Sequence, residues 1–537
     1  MPVNLICNDP SHPRLSSNRK SFAKRESNQQ AQGKDPMAKF KEYDYSQGVL
    51  LPVSLEEQLT PGTLEFTIHG LVESRIDMSV FENRYKNDET GRRAYDPKIL
   101  LKVVLLAYSR GIVSSRKIED VCRKNVVFMA LSCCQYPDHS TIAEFISSMK
   151  NEIFPLFRDI LLVCEEEDLL GGTFFALDGC KLPSNASKQW SGTISDLKKK
   201  REKIEKRVAQ LLEQQQETDK REEQQGPKGG TTESKTHKER IEKLKKKAER
   251  IQKWLEENDA KIGESGKEIK SNITDNESAM MTTWHGTIQG YNGQALVDAK
   301  NQIIVHGEAF GKGQDTRHLG PMIDGAKENM AEIGQDQDYF RGKLFTADAD
   351  YHSQTNLAKS VEEDLDAYIP DKRFRTRDAR LSPMQPRRKF GLDDFQYDQA
   401  ADTYMCPGRK MLKLKAKKIL STGNFYRVYA ADRKDCDSCS IRHRCLAAGR
   451  GNRKHLSVPI GSEESNLSKK MAAKIDSQVG RKIYPQRIAV VEPVFANIRI
   501  QKRMDRFTLR GKTKVNIQWL LYCMVHNIEK IMNYGFA

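Results

Sequence analysis

Two acidic residues, each following a short apolar run, are the best candidates in this chain for metal chemistry. Asp178 follows residues 174–177 and Asp348 follows residues 344–347, and both runs have the composition of buried strands. Carboxylates at the ends of neighbouring core strands are costly to leave unpaired, because burial disfavours their charged form. Two divalent cations would offset that cost and would supply the chemistry of phosphoryl transfer. The two positions therefore predict a metal site at the carboxyl ends of two strands.

A third carboxylate, Glu492, lies on a predicted helix near the C-terminus. Tyr484 and Arg487 precede it by eight and five residues, and arginine suits a bidentate phosphate contact. Asp350 would share the face of Asp348 if the strand continued that far, but Asp348 directly follows the apolar run and is our choice as metal ligand. Any one of these acids alone reads more simply as a helix cap or turn residue. Taken together, however, two acids that follow strands and a third on a later helix favour a catalytic role.

The elements that would position these acids predict a mixed sheet covered by helices. A β-hairpin is predicted over 289–307 with its turn after Asp298, followed by a helix over 319–333 and then the Asp348 strand. This order predicts an α/β fold, in which chemistry lies at the carboxyl ends of strands. We assign the catalytic domain to three segments of the chain, 166–190, 270–394 and 456–537.

The segment 46–165 is predicted to be all-helical. Asp96 and Pro97 have the pattern of a cap followed by proline at the first helical position, and Thr141 and Glu144 have the spacing of a capping box. Three short helices joined by tight turns suit a DNA-binding module of the helix-turn-helix kind. A plain helical bundle fits the same periodicity equally well.

Residues 191–269 are predicted to form an inserted helical hairpin with a coiled-coil seam around a turn at 226–230. The apolar seam residues are spaced seven positions apart in the first half and three or four positions apart in the second. They are Leu197, Ile204, Leu211, Ile241, Leu244, Ala248, Ile251 and Leu255. Lysine and arginine dominate the second half from His237 to Lys253. Such a face can follow a phosphate backbone, although most charge runs are simply solvated.

A small insertion at 395–455 is rich in cysteine. Its four thiols are Cys406, Cys436, Cys439 and Cys445. One tight CxxC pair among four thiols can form a tetrahedral structural zinc site. Against this, Cys406 and Cys445 are far apart in the sequence, and His443 could replace either one, so free thiols are the alternative. The eleven cysteines of the chain are otherwise scattered, which predicts buried or free thiols rather than disulfides.

The net charge of the chain indicates which kind of partner it binds. The 537 residues include 89 Lys and Arg against 73 Asp and Glu, a net charge of +16. This excess favours nucleic acid over an anionic membrane, although ordinary surface basicity gives a similar number. No run approaches the roughly 18–20 apolar residues that span a bilayer. The polar, basic residues 1–45 predict a disordered arm without a signal-peptide core, and hence a reducing cytoplasmic location.

In their shared order, these motifs resemble the DDE transposases of bacterial insertion sequences. The carriers are Leu177-Asp178-Gly179-Cys180-Lys181, Ala347-Asp348-Ala349-Asp350-Tyr351, and the spacing of Tyr484, Arg487 and Glu492, with support from 95–101, 137–142, 290–292 and 492–495. The chain is most similar to the branch with a Tyr-Arg-Glu signature and a cysteine-bearing insert. The resemblance extends over about residues 70–530. Asp350 departs from it, because the family usually has glycine there.

The resemblance implies a ribonuclease H-like core, two Mg²⁺ or Mn²⁺ ions, and cleavage at terminal inverted repeats followed by strand transfer. It makes Asp178, Asp348 and Glu492 the catalytic metal ligands. The resemblance also implies that four residues contact DNA: Lys181, Tyr484, Arg487 and Arg499. The implied partners are double-stranded transposon ends, target DNA and a second copy of the chain, since pairing two ends suits a homodimer.

Two other classes of function stay open at this level. The chain could be a catalytically silent DNA-binding regulator derived from a transposase, or an assembly protein centred on the helical hairpin at 195–258. The presence of all three carboxylates and of the Tyr-Arg pair argues against a loss of catalysis.

Overall fold

The computed structural model describes residues 54–84, 94–225, 232–263, 266–378, 389–419, 425–446, 451–459 and 463–535. The predicted arm at 1–45 and the turn at 226–230 lie outside these residues. No helix in the described ranges is long and apolar enough to cross a bilayer.

The N-terminal region is helical, as predicted. Its helices are α1 (Leu64–Ser74), α2 (Pro97–Ser109), α3 (Ser115–Lys124), α4 (Val126–Leu131), α5 (His139–Ser147) and α6 (Ile153–Glu166). The Asp96 carboxylate caps α2 by accepting a hydrogen bond from the Lys98 N–H. The capping box predicted at Thr141 is wrong, because Asp138 caps α5 and its carboxylate accepts from the Thr141 N–H. An ionised acceptor is favoured there by the positive end of the helix dipole.

The central region contains the predicted strands with two long helices between them. In chain order it consists of β1 (Phe174–Pro183), β2 (Ser191–Gly192), α7 (Ile194–Gln225), α8 (Thr232–Glu257), β3 (Ser271–Asn272), β4 (Ala279–Thr283), β5 (Gly286–Asp298), β6 (Ile304–Phe310), α9 (Leu319–Glu332), β7 (Leu344–Ala347), α10 (Gln354–Glu362) and β8 (Asp366–Tyr368). The short strands β2 and β3 pair with each other at the base of α7 and α8.

The main sheet is mixed. Its strand order is β6-β5-β1-β7-β8, with β4 paired to the first residues of β5. The pairs β6-β5 and β5-β1 are antiparallel, whereas β1-β7 and β7-β8 are parallel. The predicted mixed α/β sheet is therefore present, and its order and directions are consistent with a ribonuclease H-like fold.

Helices α7 and α8 pack against each other as an antiparallel pair. Leu197 near the start of α7 is buried with Ile251 near the end of α8, and Leu211 further along α7 is buried with Ile241. These residues belong to the predicted seam. Their contacts form small clusters separate from the main core, so the pair is held by its own apolar stripe.

The C-terminal region adds a second sheet and the closing helices. It contains α11 (Phe374–Arg377), β9 (Gln396–Asp398), β10 (Thr403–Met405), β11 (Met411–Ile419), β12 (Phe425–Ala431), α12 (Arg433–Asp437), α13 (Arg442–Cys445), β13 (His455–Pro459), α14 (Glu463–Asp476), α15 (Gly480–Ile483), α16 (Gln486–Ala496) and α17 (Lys512–Tyr534). Strands β9 to β13 form an antiparallel sheet in chain order. We call residues 389–459 the cysteine module.

Helix α17 joins the helical region to the main sheet, because its residues and those of both regions belong to one buried cluster. Its Trp519 packs near Phe495 and Phe507 and is fully buried. The indole Nε1 donates a 2.9 Å hydrogen bond to the Gln294 carbonyl of β5. Gly293 leaves room for the ring, since a Cβ at that position would lie 3.1 Å from it.

Trp519→Phe should lower the free energy of unfolding by about 1–2 kcal/mol, because a buried polar pair loses its donor while the ring volume is mostly kept. Urea denaturation followed by circular dichroism measures the change. Trp284→Phe is the matched control, since Trp284 is fully exposed, and its midpoint should equal that of the wild type. Equal midpoints for both variants would show that the indole hydrogen bond contributes nothing.

Candidate active site

Asp178 lies in the middle of β1, so its predicted place at the end of the strand is wrong. The parallel pairing of β1 with β7 ends at Leu177 and Ala347, but β1 continues to Pro183 against β5. Gly179, the next residue, does not end the strand either. Side chains from β5 cross the strand at this glycine, and an added Cβ would lie 2.9 Å from Asn292 Oδ1.

Asp348 does end its strand, as predicted. Its carboxylate caps the 3₁₀ turn at Ala349–Tyr351 by accepting a 2.8 Å hydrogen bond from the Asp350 N–H. Because Leu177 is in register with Ala347, the next residues of the two strands, Asp178 and Asp348, are neighbours. Asp350 points elsewhere and pairs with Lys372 at 3.1 Å in a largely exposed position. The structure therefore brings Asp348, and not Asp350, towards Asp178.

The two aspartates disfavour each other's ionisation. Burial raises the pKa of Asp348 to about 6, and the negative charge of Asp178 adds to this effect. Burial also raises the pKa of Asp178, against the opposing effect of the Arg487 guanidinium. Two carboxylates in one desolvated place need a positive charge nearby if both are to ionise.

Arg487 supplies a positive charge from α16. Its Nη1 donates a 2.6 Å hydrogen bond to Asp178 Oδ2, and the two side chains are only 11% and 18% exposed. Tyr484, which lies between α15 and α16 rather than on a helix, is within electrostatic range of Arg487 and packs its ring against Phe374. The Arg487 Nε is buried without a hydrogen-bond partner among the described residues. A buried guanidinium with a spare donor fits an additional oxygen acceptor, such as a phosphate.

Glu492 is exposed on α16, and the structure gives its carboxylate no hydrogen bond or ion pair within the described residues. Glu492 lies five positions after Arg487, so the two side chains are about 140° apart around the helix. Pro493 follows it and cannot donate to the Ala489 carbonyl, which instead accepts a 3.0 Å hydrogen bond from Gln302 Nε2. No three His, Cys, Asp or Glu side chains of the described residues are placed so that they could hold a metal ion. The aspartate pair is thus assembled, and the role of Glu492 stays a prediction.

The other two predicted DNA contacts lie on different sides of β1. Lys181 is three residues from Asp178 on an alternating strand and therefore points to the opposite face, within electrostatic range of Asp315. Arg499 is exposed on a π-helical turn, Asn497–Gln501, within range of Cys180. Cys180 shares the face of Asp178, so Arg499 is on the side of the aspartate pair.

A buried polar network next to the aspartates was not foreseen from the sequence. The side-chain amides of Asn292 and Gln294 donate to Asp315 at 2.5 and 2.8 Å, and the fully buried Tyr351 donates to Gln294 Oε1. Tyr351 also lies within electrostatic range of both aspartates. The available signal was the pair of amides at alternating positions of an otherwise buried strand. This network fixes the turn that follows Asp348.

Two family models match parts of the chain. Residues 405–532 match a family model described as a transposase DDE domain, and residues 53–148 match one described as a transposase domain (DUF772). The first match includes Arg487 and Glu492, and the second includes α1 to α5. Together they support a relationship to insertion-sequence transposases, while Asp178 and Asp348 fall outside both. No curated protein matches the chain.

The raised pKa of Asp348 predicts a pH-dependent gain in stability for Asp348→Asn. The folded chain keeps this carboxyl protonated up to about pH 6, whereas the unfolded chain ionises it near the usual 3.8. The wild type therefore loses stability as the pH rises through this window. With a chelator present, the variant should be more stable than the wild type by about 1–3 kcal/mol at pH 8 and equal to it at pH 4.

Urea unfolding at the two pH values measures the difference. Asp350→Asn is the control, because that carboxylate is exposed and paired with Lys372, and its charge makes the smallest of the contributions that raise the pKa of Asp348, so its gain at pH 8 should be much smaller. An Asp348→Asn gain that is the same at both pH values would contradict the assignment of the titration to Asp348.

Proposed function

We propose that this protein is a DDE-type DNA transposase, which binds the terminal inverted repeats of an insertion sequence and catalyses phosphodiester cleavage and strand transfer. The observation that carries the proposal is the placement of Asp178 beside Asp348 where β7 ends in a mixed sheet. The matches to transposase family models at both ends of the chain support it independently.

The aspartate pair fits a site for Mg²⁺ or Mn²⁺. Both carboxylates are hard oxygen donors in a partly desolvated position. A divalent ion would offset the cost of their burial and the repulsion between their negative charges. Asp178 and Asp348 would hold the metals, with Glu492 completing the set from α16. Two bound ions would supply Lewis-acid stabilisation of the attacking and leaving oxygens.

Arg487 and Tyr484 act on the substrate in this proposal. Arg487 holds the Asp178 carboxylate in place and has a buried Nε donor to spare for a phosphate oxygen, and Tyr484 lies within electrostatic range of the guanidinium. Arg499 contacts the DNA backbone on the same side of the sheet. Lys181 contacts DNA that passes the opposite face of β1.

The remaining parts fit the handling of DNA. The helices that match the transposase domain at 53–148 recognise the terminal repeats, and the basic face of α8 follows the phosphate backbone. Two copies of the chain pair the two transposon ends as a homodimer in the bacterial cytoplasm, at the nucleoid. A regulator that binds the same ends without cutting them is the alternative, and only a cleavage assay separates the two.

Asp178→Asn should reduce Mg²⁺-dependent nicking of a duplex carrying the element's end by at least about 10²-fold, because a neutral amide replaces a charged metal ligand and the reacting groups are no longer held in position. Fluorescence anisotropy should show unchanged binding of the same duplex. Asp350→Asn is the matched control and should nick like the wild type. Binding without nicking by the wild type would identify the regulator instead.

Glu492→Gln tests the third carboxylate separately from the fold. Because Glu492 is exposed, the variant's free energy of unfolding should stay within about 0.5 kcal/mol of the wild type. Its nicking should fall as far as that of Asp178→Asn. Wild-type nicking by a normally folded Glu492→Gln protein would remove this residue from the catalytic set.

A further inference from the structure

The four thiols of the cysteine module gather in one place, although they are widely spaced in the sequence. Cys406 follows β10, Cys436 lies in α12, Cys439 precedes α13 and Cys445 ends it. All four line one cavity of about 30 Å³. A point at the Cβ position of Gly408 is 3.5 Å from Cys439 Sγ and 3.7 Å from Cys406 Sγ. Cys445 lies within electrostatic range of the other three thiols. The fold therefore removes the objection that Cys406 and Cys445 are too far apart.

Backbone donors point at two of the sulfurs. The N–H of Lys410 donates to Cys406 Sγ at 3.4 Å, and the N–H of Lys454 donates to Cys436 Sγ at the same distance. Hydrogen bonds of this kind favour a thiolate and orient it as a metal ligand. His443 is exposed and does not line the cavity, so a histidine does not replace a cysteine here.

Apart from its five-stranded sheet, the described part of the cysteine module has only a small apolar core. Its core contains six buried residues and is separate from the main core of the protein. Three of the thiols, those of Cys406, Cys436 and Cys445, pack directly against this core, and all four are free rather than joined in disulfides. Modules below about 70–80 residues generally need a disulfide or a metal in addition to their apolar core.

We propose that Cys406, Cys436, Cys439 and Cys445 bind one structural Zn²⁺ ion as four thiolates. Four S–H bonds lose their protons to solvent and four Zn–S bonds form, with no change of oxidation state. No three of the described His, Cys, Asp or Glu side chains are already placed to hold a metal ion, so zinc binding would require the four thiols to move inward from the cavity wall. Lys410, Arg442 and Lys454 line the cavity together with one carboxylate, Asp435, so cations outnumber carboxylates there and reduce the net negative charge of the loaded site.

The test uses the full-length protein purified under reducing conditions. Native mass spectrometry should show one zinc per chain, which is lost when the chain is denatured in acid. Replacement by Co²⁺ should give the sulfur-to-cobalt charge-transfer absorption and the ligand-field bands of a tetrahedral thiolate site. Cys439→Ser should lose the metal, while Cys133→Ser, which changes an exposed thiol outside the module, should retain one zinc per chain.

Hydrogen exchange gives a readout that needs no variant. Removal of zinc by a strong chelator should speed exchange in β11 and β12 by at least about tenfold while α17 stays protected, because the module loses its metal and the main core does not. A reduced wild-type chain that binds neither zinc nor cobalt would overturn the proposal, as would full zinc content in Cys439→Ser. None of these measurements depends on DNA cleavage, so a failure of the proposed transposase function would leave their outcome unchanged.

Discussion

The repulsion between two neighbouring carboxylates is the constraint on which the candidate active site in the main sheet depends. Asp178 and Asp348 are brought together by the register of β1 and β7, which no local change can alter without moving a core strand. The Arg487 guanidinium relieves part of the repulsion at 2.6 Å from Asp178, and it arrives on a helix far away in the sequence. The sheet and α16 therefore have to assemble together, since either alone leaves buried charge without a partner.

Helix α17 makes this assembly one unit with the N-terminal helices. It is buried along most of its length, and the apolar residues of α1, α2 and α6 share its cluster with those of the sheet. A rigid connection of this kind would fix the distance between bound DNA ends and the aspartate pair. The Gln294 carbonyl, which accepts from Trp519, belongs to the same residue whose amide reaches Asp315, so α17 also supports the polar network beside the site.

Local patterns in the sequence predicted those features that depend on neighbouring residues. The cap at Asp96, the hairpin after β5 and the end of β7 at Asp348 are of this kind. Features that depend on distant partners were missed or misplaced. Asp178 was misplaced at a strand end because nothing near it in the sequence reveals that β1 continues against β5. The network of Gln294, Asp315 and Tyr351 was missed because it joins segments that are separate in the sequence. For Glu492 the opposite holds. Its distance in sequence from Tyr484 and Arg487 was recognisable, whereas the fold gives it few contacts.

The separate small cores of the α7-α8 pair and of the cysteine module have an evolutionary consequence. Each insertion satisfies its own apolar surface, and each enters the chain between elements of the main sheet and its closing helices. A lineage could lengthen, replace or delete either one without shifting β1 against β7. We therefore expect that proteins sharing this aspartate pair differ in length mainly within these two insertions, and that the spacing between the two aspartates is a poor guide to relatedness.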